Sequence, residues 1–474
     1  QELRAKAAGI SAESPVRFRL SSPLADGADQ AAAEAALHRG WELQAILPFE
    51  RSDYRASLDA AGGERFDRLL GKAQSVLELP GDRGELVDAY VMTGRGTIAH
   101  SNLLIAVWDG LPPRGPGGTG DVVVQAIAGG TAVIHATQDG RSGPRLIWSG
   151  FDPAVVTMAD GANVSRPLDR AGLDSIFAAT LLPPPDPGER DFYRRFAAER
   201  SHRLRTRIEY PLLLSLFGVR RLSARDIAER YCAQAIEDEW RTYRTGCGDA
   251  HRISAPIDLL QNAYSWADRL ATHFAQTYRS GHIFGFVLGG VAVCLGLSAF
   301  MAPHFNLHLA LAEMGISFAI ILNAVVGTRN EWHRRWLDYR QLAERLRPMR
   351  SLKMLGIATP DPPGTRTNPV PRRWIDWYAA SIWRAMGAPS GMIDRECAAN
   401  LARAIAQHEV DPQMRYHLRN ATTIAKLDRR LGLIGTGLFA ATLIVAGANV
   451  VGLAMGAHWV SEPGAWSNLI QAGL

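Results

Sequence analysis

The spacing of apolar and polar positions divides the chain into two parts. From residue 16 to residue 150, short apolar runs alternate with stretches of helical period, the pattern of a parallel sheet covered by helices. The predicted strands are Val16–Leu20, Glu42–Pro48, Ser75–Leu79, Asn102–Trp108 and Thr131–Ala136. ADQAAAEAALHRG, ERFDRLLGKAQ, DAYVMTGRGTIAHS and DVVVQAIAGG between them are each long enough for a crossover helix. RLIWSGFDP can add a last strand. VSRPLDRAGLDSIFAATLLPPPDPGERD then reads as loop-rich, with PPPDPG as a linker that marks a domain boundary. Helical period returns after it, and YPLLLSLFGV is too short to span a bilayer, so it predicts a buried or interfacial helix.

After residue 281 the pattern changes. Ile283–Met301 carries no charge over about the length that an α-helix needs to cross a hydrocarbon core. Leu307–Gly327 has similar reach but contains Glu313 and Asn323, and Leu431–Ala457 is uncharged throughout. Three membrane spans are therefore expected, and SNLIQAGL near the end can open a fourth. Glu313 either faces a wet interior, is protonated or sits at the outer interface, because a carboxylate in hydrocarbon is costly. Arg269 and Arg279 before the first span, Arg329, Arg334, Arg335 and Arg340 after the second, and Lys426, Arg429 and Arg430 before the third place those ends in the cytoplasm. LLQNAYSWADRLATHFAQTYRSGHI runs straight into the first span, a mechanical lever for the cytoplasmic part. RNEWHRRWLDYRQLAERLRPMRSL predicts a helix continuing out of the bilayer, its aromatics and arginines at the headgroup level.

The resulting division is an α/β Rossmann-like domain at 1–150, a linker and cytoplasmic helical domain at 151–280, a transmembrane hairpin at 281–328, a cytoplasmic helical segment at 329–430 and a C-terminal transmembrane region at 431–474. Composition agrees: 47% hydrophobic and 21% charged residues are too apolar for a disordered chain. The net charge of +5 comes with arginines clustered beside apolar runs, which favours a membrane over nucleic acid as partner. Cys232, Cys247, Cys294 and Cys397 form no C-x-x-C pair and read as reduced thiols, with no zinc site, and the first residues lack the apolar stretch of a signal peptide.

Ligands of such sheets bind beyond the carboxyl ends of the strands, where helix N-termini attract anions. Two strand-to-helix loops have suitable chemistry. Ser21, Ser22, Asp26 and Gly27 belong to the first, and Asp109, Gly110, Gly117, Gly118, Thr119, Gly120 and Asp121 to the second. Arg95 can supply a cation to phosphate or make a surface salt bridge. Neither G-x-G-x-x-G nor G-x-x-x-x-G-K-[ST] occurs.

SSPLADGADQAAAEAALHRGWELQAILPF, AYVMTGRGTIAHSNLLIAVWDG and GPGGTGDVVVQAIAGGTAVIHA together resemble the SLOG superfamily, Rossmann-like nucleotide-binding domains that include the LOG phosphoribohydrolases and the sensor of melastatin-type TRP channels. The hairpin followed by WHRRWLDYRQLAERLR is similar to the SLATT membrane effectors of bacterial defence. The resemblance implies a nucleotide-derived ligand of the ADP-ribose, NAD or cyclic nucleotide class. SLOG domains open with a strand that is not seen before QELRAKAAGI, and Val124 stands where LOG hydrolases carry a catalytic Glu. The expectation is a nucleotide-sensing effector of the bacterial inner membrane, its SLOG-like domain cytoplasmic, gating an oligomeric pore, with antiphage defence as the setting the resemblance implies. The alternative is a membrane-tethered nucleotide N-glycosidase using Asp121 or Asp26 as its acid.

Overall fold

The computed structural model describes residues 17–137, 142–151, 165–200, 205, 207–228, 238, 241, 253–254, 257–301, 305–360 and 373–454. Strand β1 (Arg19–Ser22) is followed by α1 (Ala28–His38), β2 (Glu42–Leu47), α2 (Arg51–Arg55), α3 (Ala60–Leu70), β3 (Ser75–Glu78), α4 (Leu86–Ala99), β4 (Leu103–Val107), α5 (Thr119–Ala128) and β5 (Ala132–Ala136). Next come β6 (Arg145–Ile147), β7 (Ser165–Pro167), α6 (Arg170–Leu181), α7 (Pro187–Ala198), α8 (Glu209–Leu216), α9 (Ala224–Ile227) and β8 (Ile253–Ser254). The remainder is α10 (Asp258–Met301), α11 (Asn306–Arg329), α12 (Trp332–Leu346), α13 (Met349–Leu355), α14 (Trp374–Met386), β9 (Ser390–Met392), α15 (Arg395–Ile405) and α16 (Asp411–Ala454), the last two joined by a π-helical turn, Ala406–Val410.

The chain divides into two compact units that are not consecutive in sequence. One comprises residues 1–199, 233–266 and 341–410, the other residues 200–232, 267–340 and 411–474.

The first unit is the expected α/β region, but its strands form two sheets rather than one. They run in the orders β1-β2-β3-β9-β8 and β4-β5-β6-β7. Pairing is parallel from β1 through β9 and between β4 and β5, and antiparallel at β8–β9, β5–β6 and β6–β7. The first strand lies later than expected, at Arg19–Ser22, with Val16 outside the described residues. Strand β2 is buried from Leu43 to Leu47 because helices cover both faces. Leu43, Ala45 and Leu47 pack with Phe49, Tyr54, Phe66 and Leu69, whereas Ile46 packs on the other face with Leu77, Leu79, Ala388 and Ile393. Gly81 is required where the chain leaves β3: a Cβ there would lie 2.2 Å from the Pro48 carbonyl oxygen.

The region expected to be loop-rich after residue 163 contains α6 and α7. Asp169 and Asp186 cap them by accepting the N–H groups of Gly172 (2.7 Å) and Glu189 (2.8 Å), and Pro187 follows at the first helical position. Helix α14 is a wall of the first unit. Trp374 is fully buried, Trp377 Nε1–H donates to the Leu181 carbonyl (3.0 Å) and Trp383 Nε1–H to that of Ala99 (2.9 Å). The α14 C-terminus is held by two donors from elsewhere in the chain, Arg19 donating to the Arg384 carbonyl (2.9 Å) and Lys353 Nζ to that of Gly387 (2.8 Å).

The three expected spans overlap α10, α11 and α16, in three stretches long and apolar enough to cross a membrane, Asp258–Gly296, Asn306–Leu355 and Arg395–Gly452; the last three residues of the third expected span lie outside the described residues. The suggested fourth span lies outside the described residues. Helix α10 is continuous over 44 residues, on the order of 66 Å. The helix expected to continue from the second span is interrupted at Asn330–Glu331, where Glu331 takes a left-handed φ of 48°, before α12 resumes. Tyr278 stacks on Trp336, Phe274 meets Tyr339 edge-on and the Arg335 guanidinium lies 4.1 Å from the Phe274 ring centroid. The interhelical packing on α10 thus occupies aromatics expected to face headgroups.

Candidate functional site

A broad open cleft of about 2020 Å³ lies in the first unit. Among the described residues, strand β1 is paired only by β2 and strand β4 only by β5, and both strands line the cleft along their length. The cleft thus runs along one edge of each sheet, not only beyond the carboxyl ends of the strands where ligands of open α/β sheets usually bind.

Of the residues expected at the site, Ser21, Ser22, Asp26, Arg95, Gly117 and Thr119 line this cleft, whereas Gly27, Asp109, Gly110, Gly118, Gly120 and Asp121 do not. The two loops are largely self-satisfied. Ser22 Oγ accepts the Leu24 N–H (3.1 Å), where Leu24 has a φ of 57°, and Asp26 Oδ1 accepts the Gly27 N–H (2.8 Å). Ser21 Oγ is 3.5 Å from Gln44 Oε1. In the second loop Asp109 accepts the Leu111 N–H (3.0 Å) and pairs with Arg114 (2.8 Å), while Gly110 turns the chain at a φ of 81°. Asp121 Oδ2 accepts the Gly117 N–H and the Gln125 side-chain amide, both at 2.9 Å.

Gly117 has a structural reason to be glycine. Its φ is +80° and a Cβ would sit 3.1 Å from Tyr90 Cβ, the Val87 carbonyl oxygen and the Val91 nitrogen, so the loop lies directly on α4. Gly120 is similarly close to Pro113 and Trp108, and Gly118 is the N-cap of α5. Val124 is exposed and outside the cleft lining.

The face of α4 toward the cleft carries Tyr90, Thr93 and Thr97, one helical stripe. Thr93 donates to the Ala89 carbonyl (2.8 Å), whereas Thr97 Oγ1 is buried without a hydrogen-bond partner. Arg95, on the same helix, is exposed at the cleft and has no ion-pair or hydrogen-bond partner among the described residues. Asp29, in the first turn of α1, also lines the cleft. Burial pushes its carboxyl from 3.8 up to about 6, against the lowering effect of a hydrogen bond from the Ala25 backbone. Tyr54 is held above its ordinary range by burial and then by Tyr90 and Asp29, which puts these three groups in one neighbourhood. Asp29 closes the first candidate loop, Ser21–Asp29, though its carboxyl was given no role there; Tyr90 and Thr97 were missed in the sequence, and the i, i+3, i+7 recurrence of Tyr90, Thr93 and Thr97 is the signal that could have shown the stripe.

A second cluster backs the cleft wall. Lys353 is fully buried, its Nζ 2.8 Å from the Gly387 carbonyl, 3.3 Å from His100 Nδ1 and 3.4 Å from the centroid of the Trp383 ring. Burial, then Arg19, holds Lys353 well below 10.5, and burial, then Lys353, holds His100 well below 6.5.

Of the two polar residues expected in the spans, Asn323 ties helices together. It accepts from Arg207 and donates to the Gly281 carbonyl (3.0 Å), with the Arg207 guanidinium 5.2 Å from the ring centroids of both Phe284 and Trp332. Glu313 is exposed, its carboxylate oxygens facing Gly296 where a Cβ would stand 3.9 Å away. Compared with family models, curated proteins and solved structures, the chain matches none of them.

Proposed function

We propose that this protein is a ligand-responsive membrane effector: a nucleotide-derived ligand binds the cleft of the α/β unit, and its binding sets the state of an oligomeric, ion-conducting assembly of the apolar helices. The observation that carries the proposal is a strand-edge cleft with a free guanidinium, Arg95, in a chain that also holds three helices able to cross a membrane. The resemblance of the quoted segments to SLOG and SLATT proteins supports the same reading. So does the distribution of arginine and lysine beside the apolar helices, which favours a cytoplasmic α/β unit; the membrane in this reading is a bacterial inner membrane. The three spans among the described residues are too few to enclose a conduit, so a pore needs several copies. Gly285 and Gly289, where a Cβ would meet nothing within 4 Å, leave a close-approach surface for a second helix.

Gating requires the ligand to prefer one state. Moving the equilibrium from 1:99 to 99:1 takes about 5.5 kcal/mol of differential binding. The covalent route is short, because α10 is one continuous helix from Asp258 to Met301. The test is reconstitution of the full chain in dye-loaded liposomes with AMP, NAD, ADP-ribose and cyclic nucleotides. Leakage that rises with one of these and is lost in Arg95→Gln is expected; vesicles that stay sealed at saturating levels of every one refute the gating.

A further inference from the structure

The run YPLLLSLFGV, too short to span a bilayer, contains most of α8, and that helix is buried on one side only. Pro211 and Leu214 are buried, whereas Leu212 and Leu216, 45% and 84% exposed, lie roughly 150° around the helix from them. Both ends of α8 are fastened where an uncharged run begins. At the first turn the Tyr210 N–H donates to Ser280 Oγ (3.0 Å), three residues before Ile283–Met301 in α10. Just past the last turn the Phe217 carbonyl accepts from Arg430, which immediately precedes the run starting at Leu431 in α16. Ahead of the helix, Arg207 donates to Asn323 of α11, four residues from the end of Leu307–Gly327. All these groups belong to the second unit.

Residues 207–217 therefore meet all three apolar helices at one level, where their charge-free lengths start or stop. Two anchors at the same depth put the axis of an eight-residue helix, about 12 Å long, in the plane of a bilayer surface rather than across it. The exposed apolar surface continues from Leu212 and Leu216 to Phe286 and Val287 on α10 and to Leu433 and Ile434 on α16, all at least half exposed. Arg221, which follows α8, is exposed and has no ion-pair or hydrogen-bond partner among the described residues, whereas Arg220 is taken by Asp226. At the boundary between headgroups and acyl chains an apolar face is buried and a guanidinium meets phosphate. We infer that α8 is an interfacial anchor in the leaflet where the spans converge, with Leu212 and Leu216 immersed in lipid and Arg221 at the lipid phosphates. The inference rests on the reading of the apolar helices as spans and goes beyond it, because it gives a short helix outside them its own lipid contact.

The test is depth measurement on the full chain in vesicles of phosphatidylcholine and phosphatidylglycerol. The four native cysteines are replaced by alanine and one nitroxide label is placed through Leu212→Cys, Leu216→Cys, Arg221→Cys or Phe286→Cys. Collisions with oxygen, which concentrates among acyl chains, are compared with collisions with a water-soluble nickel chelate. Labels at 212 and 216 should favour oxygen at a depth of about 5–10 Å, the label at 221 should favour the chelate, and the label at 286 should lie deepest. Preference for the chelate at 212 and 216 with a deep label at 286 overturns the inference alone. So does shielding from both reagents, or dipolar broadening between labels, since protein or a second copy would then cover the leucines. A label at 286 that reports water overturns the inference together with the membrane reading beneath it. Leu212 and Leu216 are exposed, so neither substitution opens the core, and the two positions check one another.

Discussion

Asp29→Asn should make the protein more stable at neutral and alkaline pH, with a gain that fades in acid. Burial raises the Asp29 carboxyl from 3.8 to about 6. Its proton is therefore held more tightly in the fold than in the unfolded chain. The stability this contributes is fully present below 3.8 and is lost as pH rises through about 6, when the native protein must carry a carboxylate in poor solvent. A shift of about two units at 1.36 kcal/mol each makes the full loss about 3 kcal/mol, an upper bound because the side chain keeps some contact with solvent. Asparagine has nearly the same shape and still accepts the Ala25 N–H, so it removes the ionisation and little else. Thermal unfolding of the detergent-solubilised full chain should show the variant ahead by about 1 kcal/mol near pH 4.5 and about 3 kcal/mol near pH 8. At 2–4 °C per kcal/mol for a domain of this size, the larger figure is roughly 6–12 °C. An advantage that is the same at both pH values, or a variant that melts lower near pH 8, would refute the assignment of a strained carboxylate.

The other expectations concern the framework around the cleft. Arg350 and Glu409 form a buried pair at 2.5 Å, 3% and 11% exposed, so Arg350→Met alone should cost about 3–5 kcal/mol while Arg350→Met with Glu409→Leu costs much less; a double-mutant cycle by chemical denaturation reads the difference. Lys353 is held below 10.5 by burial, so the unfolded chain binds its proton over a pH range where the fold does not, and stability should rise with pH in the window below 10.5. Melting of wild type and Lys353→Met between about pH 7.5 and 10 checks this, the variant lacking that rise. Gly117→Ala, at a φ of +80° and 3.1 Å from the α4 backbone, should destabilise by about 1–3 kcal/mol, and an unchanged melting curve would show that the loop does not rest on α4.

Local pattern alone located most of the elements. Strand β2 reads as a near-continuous apolar run because it is covered on both faces, α5 follows from a glycine-rich turn and an apolar run, and the uncharged lengths in α10, α11 and α16 follow from the thickness a span must cross. Helices α6 and α7 were legible in Asp169, Asp186 and Pro187 as caps, yet the prolines between them masked the signal. The candidate site was half legible: strand-to-helix loops announce themselves by composition, and Arg95 by its charge.

Pairing across long stretches of chain was decided by the tertiary structure. Strand β9 is three residues long and has no periodicity to read, but it lies beside β3, with the Ile393 N–H donating to the Glu78 carbonyl at 2.8 Å. The same return of the chain places Trp383 and Lys353 behind His100. Composition also could not show that the carboxylates in the glycine loops consume the N–H groups beside them, or that burial alters Asp29, since both depend on which groups folding brings within hydrogen-bond reach and out of water. Periodicity and length are properties of neighbouring residues, whereas strand order, the cleft between β1 and β4 and the ionisation of groups lining it are set by contacts between residues far apart in sequence.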